Sequence, residues 1–339
     1  MHRCLELAKK GIGTTAPNPS VGCVIVYNDT IIGEGYTSPY GGSHAEVNAI
    51  KSVKNKWLLK QSTVYVTLEP CSHFGKTPPC SDLIIKHCFK KVVIGCIDPN
   101  PMVAGSGIKR LKEAGIQIKT GILATLCKEH HKRFFTYQEK KRPFIILKWA
   151  ESKDGFIAPL IQKEKKPVWI TNLYARQLVH KWRSQEQAIL VGTNTVIKDN
   201  PSLTTRDWAG KSPIKIIIDK DLTIPNSATV FNQETKTIII TEKKDTNKKN
   251  IFFEIINFDK NLPKQICDIL YKHQLTSVII EGGAITLQSF IDANLWDEAR
   301  VFIGATNFKE GVKKPTINGL QLLVKKIEDN QLTLLKNNC

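Results

Sequence analysis

His44 and Glu46 stand one residue apart in "HAEVNAI", and Cys71 and Cys80 bracket the Pro-rich stretch "CSHFGKTPPC". A catalytic zinc ion takes three protein ligands of nitrogen or sulfur type and keeps one position for water. His44, Cys71 and Cys80 supply that set. Thiolates are favoured at helix N-termini, and Cys80 follows Pro78-Pro79 where a helix should begin, while "HAEVNAI" opens another at His44. Two helix starts are therefore expected to converge on one ion. Glu46, two residues beyond a ligand and not itself one, is placed to carry protons for the activated water. Taken singly, each of these residues is commonly structural. The coincidence of three donors, the Glu offset and the strand-to-helix placement points to a metal site.

The elements that must position these groups fall into two series. A chain of 339 residues is long for one core, and the break is expected at "EKKRP", giving domains over residues 1–140 and 143–339. In the first, "VGCVIVYNDTIIGEGY" predicts a hairpin turning at Asn28-Asp29, and "STVYVTLEP" and "KVVIGCID" predict buried strands. Helices are predicted at "HAEVNAIKSV", "PCSDLIIKH", "GIKRLKEAG" with its stop at Gly115, and "ATLCKEHHKRFFTYQ". In the second, strands are predicted at "FIILKWA", "AILVG", "IKIIID", "TIIIT", "SVIIEGG" and "ARVFIGA". Helices there are "NLYARQLVHKWR", "KQICDILYKH" and "AITLQSFIDANL", and "LLVKKIEDNQLTLLK" closes the chain as a hairpin. The alternation implies α/β architecture throughout, with helices on both faces of a sheet.

Apolar content of 41% and charged content of 24% are globular values, and no apolar run reaches the roughly 20 residues that span a bilayer. "MHRCLELAKKG" reads as an amphipathic helix with a glycine stop rather than a signal peptide, so a cytoplasmic protein with no membrane partner is expected. Nine scattered cysteines suit reduced thiols better than a disulfide framework. The net charge of +18 comes from lysine-rich stretches between patterned segments, which read mostly as solvated loops, with an anion-attracting field as the alternative.

Beside a zinc ion, hydroxide attacks a ring carbon bearing an amino group, and Glu46 delivers the proton with which ammonia leaves. In the usual zinc-deaminase pattern the two cysteines stand close together; here eight residues, 72–79, separate them. "TAPNPSVGCVIV", "HAEVNAI", "YVTLEPCSHFGKTPPC" and "DPNPMVAGSGIKRLKEAGI" closely resemble the deaminase half of the bifunctional riboflavin-biosynthesis deaminase/reductase family. The resemblance covers nearly the whole chain, more loosely in its second half. It implies a cytidine-deaminase-like three-layer αβα domain followed by a dihydrofolate-reductase-like α/β domain. The implied cofactors are Zn2+ and NADPH. The implied substrate is a phosphorylated pyrimidine ribosylamine, deaminated first and then reduced from ribosyl to ribityl. A homo-oligomer that binds no nucleic acid is also expected.

Residue by residue, the resemblance makes His44, Cys71 and Cys80 the zinc ligands and Glu46 the proton shuttle. It places Asn18, Lys76, Asp98 and Asn100 in the deaminase pocket. In the second half it gives substrate contacts to Arg183, Leu203, Arg206 and Glu281, arginine suiting a phosphate because guanidinium binds it bidentately. Cofactor contacts fall on Glu151, Trp169, Thr195, Asp199 and the run Gly283, Ala284, Ile285, Thr286, Leu287, Gln288 and Ser289. Independently of family, a buried strand ending in Gly282-Gly283 and opening into a helix makes an anion site. The chain has no G-x-G-x-x-G fingerprint, so an ordinary dinucleotide fold is not supported.

Some positions depart from the family pattern: Glu151 replaces a small residue, Lys153 a leucine, and Pro167 and Lys220 serines. A carboxylate repels a pyrophosphate unless turned away, and proline donates no hydrogen bond. An active deaminase with an impaired reductase thus remains open, as do a nucleic-acid deaminase and a non-catalytic zinc protein. Against the nucleic-acid reading stand the long Cys–Cys spacing and the lack of aromatics interleaved on a basic stripe. The non-catalytic reading requires a fourth protein ligand.

Overall fold

The computed structural model of the protein describes residues 1–74, 78–100, 103–161 and 168–338. Lys76 and Pro167 lie outside the described residues. The chain forms two compact units, Met1–Lys141 and Arg142–Cys339.

The first unit runs α1 (His2–Lys9), β1 (Gly22–Tyr27), β2 (Thr30–Tyr36), α2 (Ala45–Ser52), β3 (Thr63–Leu68), α3 (Cys80–Lys86) and β4 (Lys91–Cys96), then α4 (Ser106–Glu113), β5 (Gln117–Thr120), α5 (Ala124–His130) and α6 (Lys132–Lys140). The strands form a sheet in the order β2-β1-β3-β4-β5, antiparallel through β3 and parallel beyond it. Asn28 and Asp29 both take left-handed backbone angles, φ 44° and 57°, as a two-residue hairpin turn requires. Ile25, Val64, Val66, Val92 and Ile94 fill the core with Ala45 and Ala49 of α2 and Ile84 of α3. The helix that begins beside His44 lies close on the sheet because position 35 is glycine: a Cβ there would stand 2.3 Å from the Ala49 nitrogen.

The single helix expected over "ATLCKEHHKRFFTYQ" is two. The break falls at His131, whose buried imidazole meets the Thr67 hydroxyl at 3.1 Å. β5 had no counterpart in the sequence reading. It is a short edge strand, largely exposed, without the apolar alternation that marks its neighbours.

The second unit runs β6 (Phe144–Glu151), β7 (Phe156–Pro159), α7 (Leu173–Gln185), β8 (Ala188–Gly192), α8 (Thr193–Asp199), β9 (Ile214–Ile218), β10 (Thr237–Thr241), β11 (Ile251–Ile255) and α9 (Leu262–Lys272), then β12 (Ser277–Gly282), α10 (Ala284–Asp292), β13 (Glu298–Ile303), β14 (Gly311–Lys313), β15 (Leu320–Ile327) and β16 (Asn330–Lys336). Its main sheet has the order β11-β10-β9-β8-β12-β6-β13-β16-β15, parallel from β11 to β13 and closed by the antiparallel C-terminal hairpin. β7 and β14 pair separately. Alternate residues serve the two faces. Ile145, Leu147 and Ile280 pack with Ile266 and Leu270 of α9 and Leu287 and Phe290 of α10, while Phe144, Ile146 and Ile279 pack with Ala175, Val179 and Trp182 of α7. In such sheets ligand sites form beyond the carboxyl ends of the parallel strands. Those ends carry Glu151, Gly192 and Glu281-Gly282.

The unit is cinched at its start by Arg142, whose guanidinium donates to both Asp297 carboxylate oxygens at 2.5 and 2.9 Å while the Ile145 N–H donates to the same carboxylate at 2.8 Å. Both side chains are about nine-tenths buried. Removing one member strands the other charge, so Asp297→Ala is expected to destabilise this unit by about 3 kcal/mol. Tryptophan fluorescence in urea reads it, because Trp149, Trp182 and Trp296 are buried here whereas Trp57, the first unit's tryptophan, is 79% exposed. An unchanged midpoint rejects the pair as a stabilising contact.

Candidate functional site

The first unit gathers His44, Cys71 and Cys80 so that one ligand atom from each lies within 4.8 Å of the others. His44 is the N-cap of α2 and Cys80 the first residue of α3, so two helix starts do meet there, and Cys71 follows the end of β3. The His44 Nδ1 stands 3.6 Å from the Cys71 sulfur and 3.4 Å from the Cys80 sulfur. Tetrahedral zinc with Zn–S near 2.3 Å and Zn–N near 2.0 Å separates nitrogen and sulfur ligands by about 3.5 Å, so the donor set and its spacing fit that ion. The Cys80 N–H also donates to the Cys71 sulfur at 3.3 Å. The Cys71 thiol is drawn down to about 4 by its hydrogen bond with Cys80, against burial, and further by His44. Cys80 is pushed up by the same contact and by burial. A dication bound there takes both sulfurs as thiolates. No fourth His, Cys, Asp or Glu joins this group among the described residues.

Glu46 lies in the first turn of α2, 4% exposed, and burial pushes its carboxyl up to about 7. A group with that proton affinity exchanges protons readily near neutral pH. Asp98 follows β4 and is also buried. Desolvation raises it to about 6, with the charges of Glu69 and Cys71 adding to the effect. Its carboxylate accepts the Asn100 N–H at 2.8 Å. Asn18 sits in an exposed turn after a cis Ala16-Pro17 bond, its N–H donating to the Thr15 carbonyl at 3.0 Å. Lys76 is outside the described residues.

In the second unit, a charged cluster is buried at the end of β12. Arg183 donates from Nε and Nη2 to the two Glu281 oxygens at 2.9 and 2.7 Å, and from Nη1 to the Thr204 carbonyl at 3.2 Å. Lys148 approaches Glu281 at 3.7 Å. Burial opposes the Glu281 charge, but Arg183 and Lys148 overcome it and hold the carboxyl down to about 2. Arg206 is exposed, and its backbone N–H donates to His180 Nδ1 at 3.0 Å. Leu203 takes a left-handed φ of 57° with its side chain in the core, so it offers a ligand only backbone.

At Gly282-Gly283, where an anion site is expected, the backbone passes beside a side chain of α8. A Cβ on either glycine would lie 3.6 or 3.4 Å from the Thr195 hydroxyl oxygen, and one on Gly192 only 2.8 Å from that of Thr286. Gly283 caps α10, and Ala284 begins it. Ile285 is exposed, whereas Leu287 is fully buried and points into the core. Gln288 exchanges hydrogen bonds with the backbone of Thr316 at 2.8 and 3.3 Å, and Ser289 donates to the Thr286 carbonyl at 2.8 Å. Of the run Gly283–Ser289, the side chains of Leu287, Gln288 and Ser289 are thus engaged within the fold. Asp199 ends α8. Trp169 is half exposed, with the Arg176 guanidinium stacked 4.5 Å from its ring centre.

Comparison with known proteins bears on both units. The family model described as the cytidine and deoxycytidylate deaminase zinc-binding region matches residues 1–96, and that of the RibD C-terminal domain matches residues 143–337. The riboflavin biosynthesis protein RibD of Aquifex aeolicus is 41% identical over 322 residues, covering 92% of this chain and 88% of its own. That of Escherichia coli is 35% identical, covering 89% and 86%. The chain belongs to the RibD family. Among solved RibD structures, a diaminohydroxyphosphoribosylaminopyrimidine deaminase/5-amino-6-(5-phosphoribosylamino)uracil reductase from Thermotoga maritima superposes with a TM-score of 0.90 at 36% identity, covering 99% of this chain and 97% of its own. Acinetobacter baumannii RibD gives 0.89 at 32% identity, covering 100% and 98%. The RibD fold is thus present end to end, cytidine-deaminase-like and then dihydrofolate-reductase-like.

Against the RibD pattern, the departure at Glu151 resolves physically. Its carboxylate is 3% exposed and turned inward, accepting the Trp149 indole N–H and the Lys314 ammonium, each at 2.8 Å. Lys220 pairs with Glu242 at 3.5 Å. Residues that the sequence reading did not single out are Glu69, Lys148, His180 and Lys314. Lys148 left a signal, a lysine inside the apolar run "FIILKWA".

The depressed Glu281 carboxyl ties stability to acid. Its folded value lies below the unfolded one, so its contribution, about 3 kcal/mol, is present above pH 4.5 and lost as pH falls toward 2. Glu281→Gln leaves Arg183 and Lys148 facing each other uncompensated. Urea midpoints between pH 7 and pH 3 should show the wild-type advantage shrinking with acid, whereas parallel curves would rule out this linkage.

Proposed function

We propose that the chain is a bifunctional enzyme of riboflavin biosynthesis. Its first unit hydrolytically deaminates 2,5-diamino-6-(5-phosphoribosylamino)pyrimidin-4-one, and its second reduces the ribosyl group with NADPH to give 5-amino-6-(5-phosphoribitylamino)uracil. The observation that carries the reading is the triangle of His44 Nδ1 and the two cysteine sulfurs beside the buried Glu46. Zinc held by these three residues supplies the Lewis acidity that makes water a nucleophile at neutral pH. Glu46 takes a proton from the attacking water and passes it to the exocyclic amine, so that the ring C–N bond breaks and ammonia departs. Asp98 and Asn100 orient the ring by its amide edges.

In the second unit, NADPH supplies the hydride. The first turn of α10 with Gly192, Thr195 and Gly283 receives the cofactor's phosphates through backbone N–H groups. Arg206 binds the substrate phosphate. Arg183 already forms a bidentate pair with Glu281, so we assign the pair jointly to the ribose end of the substrate. Glu151, charge-paired beneath the site, leaves the reductase competent.

The reduced thiols and the phosphorylated substrate suit the cytoplasm. A small-molecule substrate accounts for the pocket without nucleic acid. No helix among the described residues is long and apolar enough to cross a membrane. We assign a homo-oligomer through β15, because Leu320, Leu322, Leu323 and Val324 on this strand are 43–58% exposed and its outer edge pairs with no strand among the described residues.

Ammonia release and NADPH oxidation, assayed separately, test the reading. A strong chelator is expected to abolish ammonia release yet spare NADPH oxidation on the deaminated intermediate. Glu46→Gln should cost at least about 100-fold in kcat with zinc retained. Ammonia release by metal-free protein would refute the deaminase assignment, and absent NADPH oxidation the reductase. Light scattering should find an oligomer that Leu322→Lys with Val324→Lys dissociates; a wild-type monomer rejects the interface.

A further inference from the structure

We propose that Glu69 is a positioning residue for deamination, its carboxylate fastening the backbone around Asp98 and the start of α4 to the strand end that carries Cys71. The inference rests on the reading of Asp98 and Asn100 as ring contacts.

Glu69 follows β3 directly and precedes Cys71 by two residues. It is 3% exposed, and no ion pair satisfies it among the described residues. Four backbone N–H groups do so instead. Oε1 accepts from Gly107 at 3.0 Å and Ile108 at 3.2 Å, and Oε2 accepts from Gly105 at 3.0 Å and Asp98 at 3.3 Å. Its own N–H donates to the Cys96 carbonyl at 2.9 Å, joining β3 to β4. Four backbone donors converging on one buried carboxyl group fix its place, because breaking any of these bonds leaves a buried polar group unpaired.

The fastening needs the helix to come very close. A Cβ on Gly107 would stand 2.1 Å from the Pro70 carbonyl oxygen and 3.2 Å from Glu69 Oε1, so only glycine permits the approach. Arg110, one turn further along α4, adds a second strut, donating to the Ser72 carbonyl at 2.8 Å and pairing with Asp82 of α3 at 2.7 Å. The position set at Asp98 passes on to Asn100 through the Asp98 carboxylate. Glu69 touches none of the metal-ligating atoms. Its effect is on where the ring-reading groups stand relative to the metal centre.

The test is a split of kinetic constants. Glu69→Gln keeps the size and one acceptor oxygen but turns an NH2 toward two N–H donors. We expect the KM for ammonia release from the diaminopyrimidinone ribosylamine phosphate to rise roughly tenfold or more, with kcat within about threefold of wild type. Zinc content and NADPH oxidation on the deaminated intermediate should be unchanged. Gly107→Ala, which pushes α4 away from the same carboxylate, should reproduce the KM effect. An unchanged KM in both variants overturns the proposal. So does a loss of zinc in step with activity in both, which would make Glu69 a scaffold of the metal centre. Asn100→Ala serves as the reference: if it raises KM and Glu69→Gln does not, this inference alone fails, and if Asn100→Ala is silent, the pocket reading fails with it.

Discussion

A carboxylate taken out of water is stable only where donors or cations meet it, and this constraint organises both halves of the molecule. Each half places acidic side chains at the carboxyl end of its central parallel strands, where ligand sites form. The solutions differ. Glu69 is met by four backbone N–H groups, Glu281 by Arg183 and Lys148, and Glu151 by an indole N–H and Lys314. Glu46 has a different outcome: desolvation dominates, and its carboxyl keeps a proton affinity near neutrality. One principle thus yields rigid anchors in some places and a proton-exchanging group in another.

The metal triangle was legible because its chemistry lies in residue types. Histidine and cysteine at strand and helix boundaries are few enough for their spacing to carry information, and the helix starts at His44 and Cys80 follow from Pro78-Pro79 and the apolar pattern. The apolar strands were legible for a related reason, since buried parallel strands read as β-branched runs. Glu69 was not legible. Its partners are backbone N–H groups, which every residue but proline owns, so no pattern of side chains announces them. The same holds for the break at His131, whose imidazole meets a hydroxyl on β3 that is distant in sequence.

The departures from the family pattern show how orientation escapes a linear reading. Glu151, standing where the family pattern has a small residue, looks disabling on charge alone. In the fold its carboxylate faces inward, and the lysine that neutralises it arrives from 163 residues further along the chain. The segment that brings Lys314 also ties Thr316 to Gln288 of α10, so one stretch of chain braces both the end of β6 and the helix that begins at Ala284.

The three metal donors come from a helix cap, a strand exit and a second helix start, spread from position 44 to position 80. In an unfolded chain such donors wander far apart, and gathering them requires the pairing of β1 with β3 and the docking of two helices. Ion capture and tertiary assembly of the first half are therefore linked, and a lesion that unpairs β1 from β3 registers as a weaker grip on zinc.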